Sequence, residues 1–230
     1  MNARKIKIIL SLLMGFFFLV ANSHTIYAAD PATSNAWIEF IQPEDAPDIL
    51  NPETGEPEYQ PTEDEGSLTG QTGPLTLDFV SNLEFGIHEV EIAEKVYESK
   101  TMTPYIQVSD RRGLGSGWNV TAQASSFSSD GAATLPGAFL TLRDGKTLTN
   151  LKDLASPTVN QNIELYTNGE AINIVTANEN EGLGSWITRW LPSAEATLND
   201  HATLTIPQAA ASPGRHVSTL TWTLTDAPGQ

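Results

Sequence analysis

The chain of 230 residues contains no cysteine. Disulfide staples and thiol chemistry are therefore excluded, and any fold must rest on its own hydrophobic core. Positive charge is scarce: 12 Lys and Arg face 28 Asp and Glu. That balance argues against nucleic-acid binding, which neutralises phosphates with Lys and Arg. It argues equally against electrostatic attachment to anionic lipid, and an acidic polymer would be repelled. Long apolar runs are also missing. The longest, "IILSLLMGFFFLV" at residues 8–20, falls short of the roughly 20 residues that a comfortable membrane span needs. The four histidines show no metal-ligand spacing, and no cofactor or metal is expected.

What is present divides the chain into three parts. Arg4, Lys5 and Lys7 precede the apolar run, and the small residues Ala28 and Ala29 follow it. This pattern predicts a secretory signal peptide over residues 1–29 and an exported mature chain with no direct membrane insertion. Without those residues, 9 Lys and Arg stand against 28 Asp and Glu, a net charge of −19. Residues 30–74 hold seven prolines, eleven acidic residues and no Lys or Arg. Proline removes backbone donors and like charges repel, so this stretch is expected to be extended and mobile. One exception is "WIEFI", Trp37 to Ile41, which reads either as a short docking strand or as part of the disorder.

From Leu75 to the end, residues 75–230, the texture is β. Short runs rich in Val, Ile, Thr and Trp are separated by Gly, Asn, Asp, Ser and Pro clusters. They fall at 75–80, 102–109, 117–125, 138–142, 172–177, 202–207 and 217–225. In "LTLDFV" the residues Leu75, Leu77 and Phe79 alternate as one face. In "TLTWTLTDAP" (219–228) Leu220, Trp222 and Leu224 share one face and the threonines the other. Helix formers at 89–99 and 152–156 predict two short helices. The expected class is mainly all-β: a β-sandwich with irregular loops and one or two short helices.

Four segments, taken together, resemble the WxL domain, a cell-surface module of low-GC Gram-positive bacteria. "GPLTLDFVSNLEFG" (73–86) is similar to its opening segment. "DRRGLGSGWNVTAQ" (110–123) is similar to its first motif and the approach to it, with Trp118 in place and Val120 where leucine is usual. "EGLGSW" (181–186) is similar to its glycine-tryptophan stretch. "TLTWTLTDAP" is similar to its second motif, with Trp222, Leu224 and Pro228 in place and His216 near where a tyrosine often stands. The resemblance implies non-covalent attachment to the cell wall through peptidoglycan and no catalysis. It also implies partners, either other WxL-type surface proteins or a membrane-anchored companion.

The residues themselves nominate sites. Trp118 and Trp222 are candidates to stack on a sugar ring. Their same-face neighbours Val120, Leu220 and Leu224 are apolar, however, and favour a core role. Trp186 and Trp190 sit in a glycine-rich context that reads as an exposed loop contact; the alternative is that the loop folds back and Trp186 plugs one end of the sandwich. Arg111, Arg112 and Arg189 stand out in an acidic chain, either to grip carboxylates of a partner or peptide stem or to pair with neighbouring acids. Glu84 and Asp110 are the least dismissible carboxylates for hydrolysis, but nothing fixes them as a pair. The expected function is peptidoglycan binding at the cell surface within a multi-protein complex. Two alternatives stand: a structural subunit held at the wall by a companion, and a glycan-binding adhesin.

Overall fold

The computed structural model describes residues 31–226; the expected signal peptide and Pro228 lie outside them. Residues 31–40 have no regular secondary structure, and "WIEFI" is not a strand: Trp37, Ile38, Phe40 and Ile41 are exposed. From residue 41 onward the chain forms a compact unit whose regular elements are all strands. The first five are β1 (Gly66–Leu68), β2 (Leu75–Ser81), β3 (Lys95–Ser99), β4 (Tyr105–Asp110) and β5 (Trp118–Ala124). Then come β6 (Ser128–Ser129), β7 (Ala132–Ala133), β8 (Phe139–Arg143), β9 (Lys146–Leu148) and β10 (Thr158–Val159). The last are β11 (Asn162–Tyr166), β12 (Ile172–Ala177), β13 (Gly184–Arg189), β14 (Asn199–Ile206) and β15 (Leu220–Thr225).

Three antiparallel sheets and one small hairpin, β6-β7, result. Their orders are β1-β2-β4-β13-β9, β10-β12-β5-β15 and β11-β8-β14-β3. The sheets share one core. Leu77, Ile106, Val108 and Trp186 come from the first sheet, Trp118, Val120 and Val175 from the second, and Leu140, Leu142, Ile163 and Leu204 from the third. This is the expected all-β sandwich, but the two short helices do not form among the described residues. Residues 95–99 of the first are strand β3, paired with β14, and residues 152–156 of the second contain only bends and an isolated bridge. Pairing with an existing sheet edge satisfies the backbone of 95–99 and overrides its local helix preference.

A second correction concerns β2. Its register shifts between Leu77 and Phe79, so a bulge moves Phe79 to the face opposite Leu77. Leu77 enters the main core. Phe79 stacks on Tyr105 with ring centroids 4.4 Å apart and packs with Ile187 and Leu50 in a separate cluster. That second cluster exists because residues 45–59 lie across the outer face of the first sheet. Leu50 is fully buried there.

The strap is held by polar contacts. Gln107 accepts from the Leu50 N–H at 2.8 Å and donates to the Asp48 carbonyl at 2.8 Å. It also donates to Asp78 Oδ2 at 2.8 Å, which Ser109 Oγ reaches at 2.6 Å, while Thr76 Oγ1 donates to Asp78 Oδ1 at 2.5 Å. Burial pushes the Asp78 carboxyl above the usual range, against the pull of these donors. At the strap's far end Tyr59 donates to Glu65 Oε1 at 2.5 Å, and Glu65 Oε2 accepts from the Thr62 N–H at 2.6 Å. Residues 45–68 therefore belong to the packed unit, and the ordered fold starts well before Leu75. Acidic and proline-rich composition misleads here because the sheet supplies the partners that the segment lacks by itself.

Two outcomes follow. Leu50→Ala removes a fully buried side chain and is expected to cost about 2–5 kcal/mol, read as a lower melting temperature with new protease cleavage within 45–60. The hydrogen bond to Glu65 pushes the Tyr59 phenol up to about 12. The folded state thus favours the protonated phenol. Its stabilisation is complete below pH ~10, the unfolded value, and is lost as pH rises toward about 12. Limited proteolysis of the strap across that window is expected to accelerate, and Tyr59→Phe is expected to remove the step.

Candidate functional site

Strands β5 and β15 carry the two tryptophan motifs, and they are direct neighbours. Trp222 lies opposite Ala122, Leu224 opposite Val120 and Leu220 opposite Ala124. Trp118 and Val120 are fully buried, whereas Leu220, Trp222 and Leu224 are half-buried against the same core. The indole N–H of Trp118 donates to the Gly182 carbonyl at 3.0 Å. Gly182 has φ +68°, and a Cβ there would stand 2.7 Å from Trp118 Nε1 and 2.6 Å from Ala177 Cβ. The glycine is therefore the socket of the first-motif tryptophan: it admits both the backbone angle and the close approach.

Trp186 and Trp190, read either as exposed loop contacts or as part of a loop folded back on the sandwich, are buried. The glycines at 182 and 184 serve the turn, and the chain continues at once as β13. Trp186 lies opposite Val108, facing the core, with its N–H donated to the Leu183 carbonyl at 2.8 Å. Trp190 packs beside Trp222, ring centroids 6.5 Å apart. The crevice they line with Leu83, Pro104 and Leu142 measures about 10 Å³, room for one water. Trp118, Trp186 and Trp190 offer no open face for a sugar; Trp222 alone is partly exposed.

The arginines are also engaged. Arg112 donates to both oxygens of the buried Asp110, at 2.9 and 2.8 Å, and to the Gly117 carbonyl at 2.7 Å. The hydrogen bonds to Asp110 raise its already high pKa. Arg111 donates to Asp45 Oδ1 at 3.1 Å and to the Gly73 carbonyl at 2.8 Å. Arg189 donates to the carbonyls of Pro52 and Glu53. Arg111 and Arg189 fasten the strap, and Arg112 fixes the approach to Trp118.

The other half of the alternation faces away from the core, with Asn119 buried, Thr121, Gln123 and Thr176 part-exposed, and the β15 threonines exposed. Opposite pairs on the outer face of the β10-β12-β5-β15 sheet are Thr225 with Asn119, Thr223 with Thr121 and Thr221 with Gln123. Across β5, Asn119 meets Thr176 and Thr121 meets Asn173, and Thr176 meets Thr158 of β10. Asn119 Oδ1 accepts from Thr176 Oγ1 at 2.8 Å and from Asn173 Nδ2 at 2.5 Å. Every one of these side chains is a hydroxyl or an amide. Of the residues between Trp and Val in the first motif and between Trp and Leu in the second, Thr223 is exposed on this face, whereas Asn119 is buried by the neighbours that donate to it. Tryptophan and its apolar neighbours anchor the strands; the intervening residues other than the buried Asn119 form the surface. Composition draws attention to Trp and Arg, whereas the signal for this face is the uncharged row that the alternation itself contains.

Gly182→Ala is expected to expel Trp118 from its socket. The cost is about 1–3 kcal/mol or more from the positive φ alone, and the loss of the buried indole contact shows as a red-shifted tryptophan emission.

A family model described as "WxL domain surface cell wall-binding" matches residues 28–228. That match takes in the strap as well as the sandwich. No curated protein and no solved structure matches the chain. Among the described residues no helix is long and apolar enough to cross a membrane. The chain belongs to the WxL family, and it is a surface protein that binds the cell wall.

Proposed function

We propose that the wall component bound is peptidoglycan, that attachment is non-covalent, and that the contact is the uncharged hydroxyl and amide face of the β10-β12-β5-β15 sheet. One observation carries the reading: a chain with 28 acidic and 12 basic residues keeps this whole sheet face free of charge. Sugar hydroxyls and peptide amides are neutral hydrogen-bonding groups, and a face of Thr, Asn and Gln meets them without desolvating a charge. Acidic wall polymers are disfavoured by the overall negative field. The role is that of a binding module and not of an enzyme, within a multi-protein surface complex.

Co-sedimentation of the secreted protein with purified peptidoglycan tests this. Thr121→Val with Thr223→Val keeps β-branched side chains and removes two hydroxyls. Retention is expected to fall about tenfold, the worth of two ordinary hydrogen bonds, with the melting temperature unchanged. Retention of the unaltered protein is expected to hold in salt of about 0.5 M, where charge pairing is screened. A protein left in the supernatant with clean peptidoglycan sinks the reading.

A second reading, attachment through a companion protein, is favoured by the exposed Trp37, Ile38, Phe40 and Ile41. An extended apolar segment of this kind adds a strand to a neighbour's sheet edge. Deletion of residues 31–40, which leaves the strap intact, discriminates. Unchanged retention on bare peptidoglycan supports direct binding, and loss of retention only on intact cell walls supports the companion.

A further inference from the structure

Strand β15 ends its sheet, and among the described residues its outer side pairs with nothing. Open edges are hazards that folded proteins blunt with charge, proline or brevity. The other outer strands of the three large sheets follow that rule. β1, β9 and β10 have three residues or fewer, β3 carries Lys95 and Glu98, and β11 carries Glu164. β15 is six residues long with no charge and no proline. An edge left this clean is suited to pairing.

Its sequence specifies the partner. Residues 219–225 read TLTWTLT, the same in both directions, with Trp222 at the centre. The backbone directions agree with that symmetry. Ser125 N–H donates to the Thr219 carbonyl, while the Ala124 carbonyl turns the other way, toward Gly169. Within an antiparallel ladder, alternate residues bond to the same side. Thr219, Thr221, Thr223 and Thr225 therefore bond to β5. The N–H and C=O groups of Leu220, Trp222 and Leu224 point out of the free edge. An antiparallel strand centred on Trp222 would meet these groups with its own Leu224, Trp222 and Leu220, each pair exchanging two hydrogen bonds.

We infer that β15 is an isologous interface for a second copy of this chain. The two β15 strands pair antiparallel with Trp222 opposite Trp222. A two-fold axis at the centre of the palindrome satisfies every open backbone group on both edges at once. On the inner side the half-buried Leu220 meets the second copy's Leu224. On the outer side Thr221 meets Thr223, a favourable cross-strand pair. The two uncharged faces join into one continuous sheet surface of double width. Two linked wall contacts then raise retention by effective concentration without any new contact chemistry. The inference stands on edge geometry and sequence symmetry, independently of what the outer face binds.

The test is sedimentation velocity on the secreted protein with no peptidoglycan present, so that its failure is separate from failure of wall binding. The unaltered protein is expected to show a mass that rises with concentration toward twice that of one chain. Thr221→Lys with Thr223→Lys places lysine opposite lysine twice across the axis and is expected to abolish the doubling. Thr221→Glu with Thr223→Glu is expected to do the same. An equimolar mixture of the two variants is expected to recover it, which also shows that both are folded. A single-chain mass for the unaltered protein at every concentration overturns the inference. So does self-association that persists in both charge variants, or a mixture that fails to recover the doubling.

Discussion

The pairing of β5 with β15 is the constraint on which the rest of the molecule depends. It joins residues as far apart as Asn119 and Thr225, so it closes the chain on itself across more than half of the packed unit. Inside that pair Trp118 is fully buried and reaches across to the Gly182 carbonyl. The indole thereby ties the second sheet to the turn that launches β13 of the first. Trp222 closes the outer flank of the same core beside Trp190. Without cysteine, this long-range lock supplies what a disulfide supplies in other exported proteins, through buried area and one satisfied N–H.

The strap solves a different problem. A sheet facing the core on one side leaves its outer face wet, yet every residue of β4 is buried. Residues 45–59 cover that outer face, and covering it obliges Gln107, Ser109 and Asp78 to find partners away from water. They find them in each other and in the strap backbone. The buried carboxylate is tolerated because Thr76, Ser109 and Gln107 all donate to it. Three cations in a chain poor in them are committed to this part of the fold and to the approach to β5. The family match over residues 28–228 agrees with that commitment: the strap is part of the domain.

Much of the architecture was legible because alternation reports burial directly. The runs at 117–125, 138–142, 172–177 and 217–225 became β5, β8, β12 and β15 within a few residues. Other features were not legible, for particular reasons. The bulge in β2 breaks the period at Asp78, and a one-residue slip sends Phe79 to the opposite face. The helix formers of 89–99 gave way to the open edge of β14. Glycines 182 and 184 suggested a loop, although the first is required by the closeness of Trp118 and the second opens a strand. The acidic, proline-rich strap carried no sign of the sheet face waiting for it. Arginines that composition left open between a partner's carboxylates and neighbouring acids are bound to Asp110, Asp45 and backbone carbonyls.

On the proposed reading, the same alternation puts the wall contact on the residues between the tryptophans and their apolar neighbours. A strand that must anchor itself in a shared core spends its large side chains inward, and period two leaves the remaining residues facing out. In this chain those residues are Thr, Asn and Gln, on adjacent strands and in register. On the proposed reading, fold and recognition are specified by the same two short segments, one residue out of phase with each other. A substitution at Trp118 or Trp222 therefore reports on the lock, and only a substitution at the intervening positions reports on the surface.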